Sequence, residues 1–479
     1  MARAFLWLRS DTSLRYFLPY PDSSEENFFR SAISLAHSLL QHSLYESREN
    51  VSVVDWEKVR QDSSELPGEF LEAVFQNSIV FPETFANVSS LILSLFFGGI
   101  TKSPLCMLKE RLLVDTSLDN RQLMKVRQNL PELACLLYRL KHGPSISETL
   151  EETFDLSQAH QKLSLFDLVF EGTTNFENAD GEIRKDVVKP FSEVVCSVWA
   201  HNHIKTRIAD VCEMIGRLLV PDPFHIADIP FEKNPDFRQK VKRTTLAPSN
   251  RRVVLVHRFN RFEILRNPEF SNSHIRICHD APSASFVVLP ARTETVMLNG
   301  LRHSESVILG AVRDVVVVHD CHGLRLTVSC SRLHISRSSD LTVFLLSPNR
   351  PLLHGSTVAF APFNTAYKGV FHQIRENNIL PSENRTQKTP LNLGESTWTW
   401  LPPTQFFCCA TPLEVYDEDV EEMLRSLPDD YRTAWGRSLQ RARRAIGEES
   451  VRLRDVIACI DALYLKSKIE KCAKNCDEL

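Results

Sequence analysis

Apolar residues in the first 225 positions recur at three- and four-residue steps, which is the spacing of amphipathic α-helices. The clearest stripe lies in the stretch SSEENFFRSAISLAHSLLQHSLYE and consists of Phe29, Ile33, Ala36, Leu40 and Leu44. The pattern predicts two further helices, one from Pro131 to the Gly143-Pro144 stop and one from about Phe191 to Leu219. Residues 1–225 are therefore predicted to form an α-helical N-terminal domain.

A proline-rich stretch follows this helical part and marks a domain boundary. Residues 221–250 contain five prolines and the basic run KVKR, which is followed by Arg251 and Arg252. A solvated linker is the favoured interpretation, because exposed lysines and arginines are common on any surface. A nuclear-import signal and a phosphate-facing patch are the alternatives. Residues 226–269 are predicted to be a linker and lead-in segment.

From residue 270 the helical spacing gives way to short apolar bursts separated by polar junctions. The bursts are rich in β-branched residues and recur about every 7–11 residues, which is typical of short strands. They are Phe286–Leu289, Val296–Leu298, Val307–Leu309, Val315–Val318, Leu326–Val328, Leu333–Ile335 and Leu341–Leu346. Because tight hairpin signals are scarce, stacked coils of a β-helix are favoured over a β-sandwich for residues 270–415.

Helical spacing returns after residue 416. It predicts one helix over about 428–446, with Tyr431, Trp435 and Leu439 at four-residue steps, and another over about 449–471. Residues 416–479 are therefore predicted to be C-terminal helices, which either close an end of the solenoid or form a partner-binding hairpin. Closure of a core is favoured. The whole chain is predicted to be an α+β multidomain protein.

Composition and charge narrow the range of partners. The 479 residues include 56 basic and 60 acidic side chains, which give a net charge of −4 and no basic footprint for nucleic acid. The longest apolar run, at 88–100, is shorter than the roughly 20 residues that a membrane span needs. The amino-terminal apolar burst is too short for a signal peptide, so the twelve cysteines are expected to be reduced thiols. The sequence predicts no nucleic acid partner and no membrane span.

One cluster of metal-ligating residue types stands out, at the four consecutive positions His319, Asp320, Cys321 and His322. Alternate residues of a strand-to-turn segment point apart, and no second pair lies at zinc-site spacing. A corner of the β-helix is therefore the favoured interpretation. Glycine-rich phosphate loops and nucleophile elbows are absent from the sequence. No catalytic residue, metal site or cofactor is predicted.

The stretch VILGAVRDVVVVHDCHGLRLTVSCSRLHIS, followed by TVFLLSPNRPLL, resembles the tubulin-folding cofactor C-like domain family, also called TBCC or C-CAP. The later run STVAFAPFNTAYKGVFHQIRENNIL resembles one subgroup of that family. The amino-terminal FLWLRSD and the segment LVFEGT are similar to the same subgroup. The resemblance covers about residues 270–415 and implies a right-handed β-helix there.

The resemblance also identifies a candidate surface. Enzymatic members of the family stimulate GTP hydrolysis with an arginine finger in a Gln-x-Arg motif on the outer ladder of the β-helix. Matching CSRLHIS to that motif places Arg332 at the glutamine and His334 at the arginine. Strand alternation directs Arg332, His334 and Ser336 outward, and Leu333 and Ile335 toward the core. A neutral imidazole lacks the permanent charge and forked donors of a guanidinium, so no enzyme activity is predicted.

The resemblance therefore implies a non-enzymatic adaptor that acts in positioning the centrosome or basal body and in organising the Golgi apparatus. The expected locations are the cytoplasm, the cytoskeleton, the centrosome (microtubule-organising centre) and the spindle pole. Centrosomal proteins, tubulin or a small GTPase are the expected partners, bound through an exposed face that carries Arg332, His334 and Ser336. The alternative is a GTPase-activating protein for an Arf-like small GTPase or tubulin, with Arg332 as a displaced finger.

Overall fold

The protein is described from a computed structural model that covers residues 4–446 with internal gaps. The gaps are residues 17, 19–24, 47–48, 62–65, 80–84, 99–122, 125, 143–149, 156–157, 174–188, 200–204, 221–241, 247–251, 258–261, 267, 279–285, 303–305 and 411–412. The chain has an N-terminal helical region, a parallel β-helix and C-terminal helices, as predicted from the sequence. The helix predicted over about 449–471 lies outside the described residues.

The N-terminal region packs helices around one core. The helices are α1 (Ser10–Tyr16), α2 (Glu25–Glu46), α3 (Val53–Gln61), α4 (Gly68–Ser78), α5 (Val88–Gly98), α6 (Leu130–His142), α7 (Ala159–Lys162), α8 (Phe191–Trp199) and α9 (Ile208–Leu218). Nearly every residue of α5 is buried, as expected for a helix that is apolar on all sides, so α5 lies at the centre of this core. Residues 88–98 of the apolar run thus form a core helix.

Short antiparallel strands join the helices of this region, which the sequence did not predict. They are β1 (Phe5–Leu8), β2 (Asn50–Val51), β3 (Ala86–Asn87), β4 (Thr153–Asp155), β5 (Phe170–Thr173), β6 (Lys189–Pro190) and β7 (Lys205–Arg207). The predicted helix over Phe191–Leu219 is wrong in one respect: β7 divides it into α8 and α9. The cause is tertiary, because β7 pairs with β4 in a different part of the region.

The β-helix is a large sheet wound into coils, parallel except for its antiparallel edge strand β8. Its strands are β8 (Lys242–Leu246), β9 (Arg252–His257), β10 (Phe262–Ile264), β11 (Ser273–Cys278), β12 (Phe286–Leu289), β13 (Thr295–Asn299), β14 (Ser306–His319), β15 (Arg325–Ser336), β16 (Leu341–Leu346), β17 (Leu352–His354), β18 (Thr357–Pro362), β20 (Leu391–Asn392) and β21 (Thr397–Trp400). Leu326 pairs with Val343, and Val343 pairs with Phe360, so one coil takes 17 residues there.

Two boundaries differ from the sequence prediction. The predicted linker at 226–269 contains β8, β9 and β10, which join the large sheet, so the β-helix begins before residue 270. The bursts Val307–Leu309 and Val315–Val318 are not separate strands but the two arms of β14, which bends at irregularities between them. Strand β15 is bent in the same place, so its two arms lie in two different ladders of the β-helix.

We call the ladder formed by β9, β11, β13, the second arms of β14 and β15, β17 and β20 the finger ladder. Its inward side chains include Val316, Val318, Leu333, Ile335 and Leu353, which lie in the core of the β-helix. The prediction that Leu333 and Ile335 face the core is confirmed.

The C-terminal part covers the other ladder. Helices α10 (Val370–Glu376), α11 (Asp417–Ser426) and α12 (Asp429–Ile446), with the strand pair β19 (Thr365–Ala366) and β22 (Cys409–Ala410), lie on the outer side of β16 and β18. Tyr431 and Trp435 of α12 share a core with Phe344 of β16. Core closure by these helices, the interpretation favoured from the sequence, is the arrangement found. Within the described residues, the helices are too short or too polar to cross a membrane.

Candidate protein-binding face

The finger ladder carries the three residues that the sequence singled out. Arg332, His334 and Ser336 lie on the outer side of β15, as strand alternation predicted, because their neighbours Leu333 and Ile335 enter the core. The expected exposure is wrong for two of them. Arg332 is 5% exposed and His334 is 4% exposed, and only Ser336 is partly accessible. Whether these residues bind a partner protein stays a prediction.

The cover over this face is the N-terminal helical region. Helix α1 lies against β13 and β14, and α4 lies against β20. Leu14 of α1 packs on the outward side chains Met297, Val315 and Val317, and all four side chains are buried. Leu352 and Leu391 of the finger ladder lie in the core of the helical region. The finger ladder is therefore buried on both sides. Its inner side lies in the core of the β-helix, and its outer side lies against the helical region.

A straight row of side chains runs across the strands on the covered side of the finger ladder. Strand register places Met297 beside Val317, Val317 beside His334, His334 beside Leu352, and Leu352 beside Leu391. All five side chains are at most 8% exposed. Four are apolar, so this row is suited to a protein interface rather than to water, and His334 is its single ionisable member.

Arg332 is bound within this contact. Its guanidinium donates to a carboxylate oxygen of Asp314 on the preceding coil and to the backbone carbonyl of Ile79, just after α4. Arg15 of α1 approaches the other oxygen of Asp314 at 3.8 Å. One carboxylate thus lies between two cations, one from each domain. Since both arms of the Arg332 fork are engaged, the side chain is not available to a phosphate.

Burial and the neighbouring charges shift the ionisation of this cluster. Burial lowers the pKa of Arg332 to about 10, and the positive charge of Arg15 acts in the same direction. Burial would raise the pKa of Asp314, but the charges of Arg15 and Arg332 outweigh it and hold that pKa below its ordinary value. The arginine remains protonated and the aspartate ionised at neutral pH.

His334 is neutral. Burial first, and then the positive charge of Arg332, lowers the pKa of His334 to about 3. Its Nδ1 is buried and has no hydrogen-bond partner among the described residues. A neutral imidazole between Val317 and Leu352 cannot supply the positive charge that a finger brings to a phosphoryl transition state.

Arg350 ties the far end of the cover to the β-helix. Its guanidinium pairs with Glu72 of α4 and donates to the carbonyl of Thr389 at 2.6 Å. The amide side chain of Gln76 donates to the Arg350 carbonyl at 2.6 Å and accepts from the Arg350 backbone N–H at 3.3 Å. These contacts are partly exposed, so each one contributes little on its own.

The four residues 319–322 form a corner of the β-helix, as favoured from the sequence. The Cys321 side chain is buried in the core, and His322 Nδ1 lies 2.7 Å from the Ser339 hydroxyl. Asp320 forms an ion pair with Arg302 at 2.8 Å. The four side chains point in different directions, and no group of three metal-ligating residues occurs in the part of the chain that the structure describes.

The cover was not predicted from the sequence, although one signal for it was present. The run Val315–Val318 is apolar at four consecutive positions, so both faces of that strand are apolar. Such a run is typical of a strand that is buried on two sides. Leu14, Arg15 and Asp314 carried no comparable signal, because their roles depend on contacts between distant parts of the chain.

Comparison with known proteins supports the resemblance. The family "Tubulin binding cofactor C" matches residues 274–391. TBCC domain-containing protein 1 of Mus musculus is 27% identical over 196 residues, which are 40% of this chain and 35% of the mouse protein. The Rattus norvegicus protein of the same name is 28% identical over 203 residues, 41% of this chain and 35% of the rat protein.

A longer match extends into the helical region. TBCC domain-containing protein 1 of Danio rerio is 24% identical over 336 residues, which are 64% of this chain and 55% of the zebrafish protein. The chain spans about a third of the length of the mouse and rat relatives that it matches. The β-helix and these matches together show that the chain contains a region similar to the tubulin binding cofactor C family, over residues 274–391.

Proposed function

We propose that this protein is a non-enzymatic adaptor that works in positioning the centrosome or basal body and in organising the Golgi apparatus. The observation that carries the proposal is His334, which occupies the position matched to the family's finger arginine and is buried and neutral. The nearest arginine along the strand, Arg332, is bound to Asp314 and to the Ile79 carbonyl. Both observations support a role for the finger ladder other than stimulation of GTP hydrolysis.

The proposed partners are centrosomal proteins, tubulin or a small GTPase bound without hydrolysis. The matched family is described as tubulin binding, which supports a cytoskeletal partner for this chain. The proposed locations are the cytoplasm, the cytoskeleton, the centrosome and the spindle pole.

A single-turnover GTP hydrolysis assay tests the absence of enzyme activity. The chain is added to an Arf-like GTPase or to tubulin, and wild type is compared with Arg332→Ala and with Arg337→Ala, a neighbouring exposed arginine as the matched control. We expect no acceleration by any of the three proteins. An acceleration that Arg332→Ala abolishes and Arg337→Ala preserves would establish the alternative, a GTPase-activating protein, since a finger contributes roughly 10³–10⁵ in rate.

Imaging tests the location independently. A tagged full-length chain is expected to concentrate beside a centrosome marker in interphase and at the spindle poles in mitosis. A diffuse signal at native expression level contradicts the location while leaving the result of the hydrolysis assay intact.

A further inference from the structure

The helical region and the β-helix have separate hydrophobic cores. Among the described residues, the helical core is built from side chains between Ala4 and Leu219 and takes in three side chains of the β-helix, Leu352, Leu391 and Leu393. The core of the β-helix surrounds Leu333 and Ile335, and its described members all come from the β-helix. Domains with their own cores move relative to each other unless the contact between them is large and apolar.

The centre of this contact is charged. Arg332, Asp314 and Arg15 meet there, and the Nε of Arg332 and the Nδ1 of His334 are buried without a partner among the described residues. A buried ion pair contributes less to stability than well-packed apolar side chains of the same size. Buried polar atoms without a partner add a further cost to the closed arrangement. This centre is therefore poorly suited to a permanent contact.

Hydrogen bonds hold helix α1 to the rest of the helical region. The Asn77 side chain of α4 donates to the Arg15 carbonyl at 2.6 Å, and the Arg15 side chain donates back to the Asn77 carbonyl at 3.3 Å. The Thr12 hydroxyl donates to the Leu168 carbonyl. On the β-helix side, α1 is anchored by Leu14 in its apolar cluster and by Arg15 on Asp314. The contact can therefore part between the finger ladder on one side and α1 and α4 on the other, which breaks the contacts of Arg332 with Ile79 and of Arg350 with Glu72 as well.

We propose that the N-terminal helical region is a reversible, autoinhibitory cover of the finger ladder, and that a protein partner reaches Arg332 and His334 only when α1 and α4 lift away. The cover buries the outer side of the finger ladder, where enzymatic relatives carry their arginine finger. It also keeps the Arg332 guanidinium bound to Asp314 and the Ile79 carbonyl. Binding of a partner at this face rests on the proposed adaptor function, whereas the opening of the cover can be measured in the chain alone.

Thiol labelling of the full-length chain measures the opening directly. His334→Cys places a reporter thiol under the cover, and the native Cys330, which is 0% exposed and lies in the core of the β-helix, is an internal control. Lifting the cover exposes position 334 alone, whereas global unfolding exposes both positions. Labelling by a maleimide is followed at each position by peptide mass spectrometry. Met297→Cys, in the same row two strands away on β13, is a second reporter in case the first substitution loosens the contact.

We expect position 334 to label faster than Cys330 in the otherwise wild-type chain. Leu14→Ala should raise the rate at position 334 by about tenfold or more, because loss of a buried leucine costs more than that factor in an equilibrium constant. Glu72→Gln should raise it by a smaller factor, and Cys330 should be unaffected. The matched control is Arg60→Ala, which removes an ion pair with Glu57 within α3.

Two results would overturn the proposal. Equal labelling rates at position 334 and Cys330 in all variants would mean that the face is uncovered only when the whole chain unfolds. Labelling at position 334 that is no faster in Leu14→Ala than in Arg60→Ala would mean that α1 does not control access. If Leu14→Ala fails to fold, judged by circular dichroism, Arg15→Ala gives the same comparison with a smaller perturbation.

Discussion

At the scale of single residues, the charges of Arg15, Asp314 and Arg332 determine how the Arg332 guanidinium is held on the outer side of β15. Arg332 lies two residues from the position matched to the family's finger, and it is the nearest arginine on the outer side of β15. In the covered arrangement, Asp314 and the Ile79 carbonyl engage both arms of its guanidinium.

The first prediction concerns the shared carboxylate. Asp314→Asn leaves Arg15 and Arg332 facing each other without a counter-ion, so it should lower the free energy of unfolding by about 3 kcal/mol. Arg332→Met leaves Asp314 paired with Arg15, so it should lower the free energy of unfolding by clearly less. Urea denaturation at neutral pH measures both. The double variant should be more stable than Asp314→Asn alone, and the opposite order would show that repulsion between the two arginines is not the cause.

The second prediction concerns pH. The pKa of His334 is about 3 in the folded chain and near 6.5 when unfolded, so the unfolded chain binds the extra proton as the pH falls below 6.5. Protonation of His334 in the unfolded chain therefore lowers the free energy of unfolding as the pH falls below about 6.5. Above that pH, His334 has no such effect. Between pH 7 and pH 5 the wild type should lose about 2 kcal/mol more than His334→Leu.

Urea titrations at the two pH values measure this difference, with His372→Gln as the control because His372 is exposed. At pH 7, His334→Leu should be no less stable than wild type, since leucine suits the apolar row. An identical loss of stability in wild type and His334→Leu would show that His334 titrates normally.

At the scale of elements, the coils of the β-helix depend on corners in left-handed backbone conformation. Gly300, Asp320, Arg337 and Gly355 have φ values of 68°, 51°, 50° and 53°, and the backbone N–H of Arg337 donates to the His354 carbonyl of the next coil at 2.9 Å. Two of these four equivalent positions carry side chains. A corner at Arg337 was expected from the sequence because polar junctions separate the bursts, but its left-handed conformation was not.

The third prediction follows from that conformation. A side chain with a Cβ in the left-handed region costs roughly 1 kcal/mol, and a β-branched one costs more. Because Arg337 is exposed, its substitution changes little else. Arg337→Gly should leave the free energy of unfolding equal or higher. Arg337→Val should lower the free energy of unfolding by more than about 1 kcal/mol. Calorimetry of both variants beside Arg337→Ala measures the order, and a Val variant as stable as the Gly variant contradicts it.

At the scale of the whole molecule, the cover makes two domains interdependent. A fragment that begins at Arg251 looks self-sufficient in the sequence, but it lacks β8, which pairs with β9 at the edge of the sheet. It also lacks the helical region, so Met297, Val315, Val317 and Leu352 would be exposed to water. Uncovered apolar rows and unpaired strand edges both promote association.

The fourth prediction concerns that fragment. Residues 251–479 should retain β circular dichroism but self-associate and bind a hydrophobic dye, and the full chain should do neither. Analytical ultracentrifugation measures the association. Met297→Gln with Val317→Thr should reduce it in the fragment, whereas Val53→Thr in the full chain is a control for removal of an exposed valine. A monomeric wild-type fragment without dye binding would show that the cover hides no significant apolar surface.

The sequence alone determined the order of the three parts, the inward direction of Leu333 and Ile335 and the absence of an arginine at position 334, because local periodicity and residue identity decide these features. Only the tertiary structure decided that the outer side of the finger ladder is buried, that Arg332 is bound to Asp314, and that strands β8, β9 and β10 belong to the large sheet. Each of these depends on residues far apart in the chain, such as Leu14 and Met297. No local pattern records which distant segment will cover a given face.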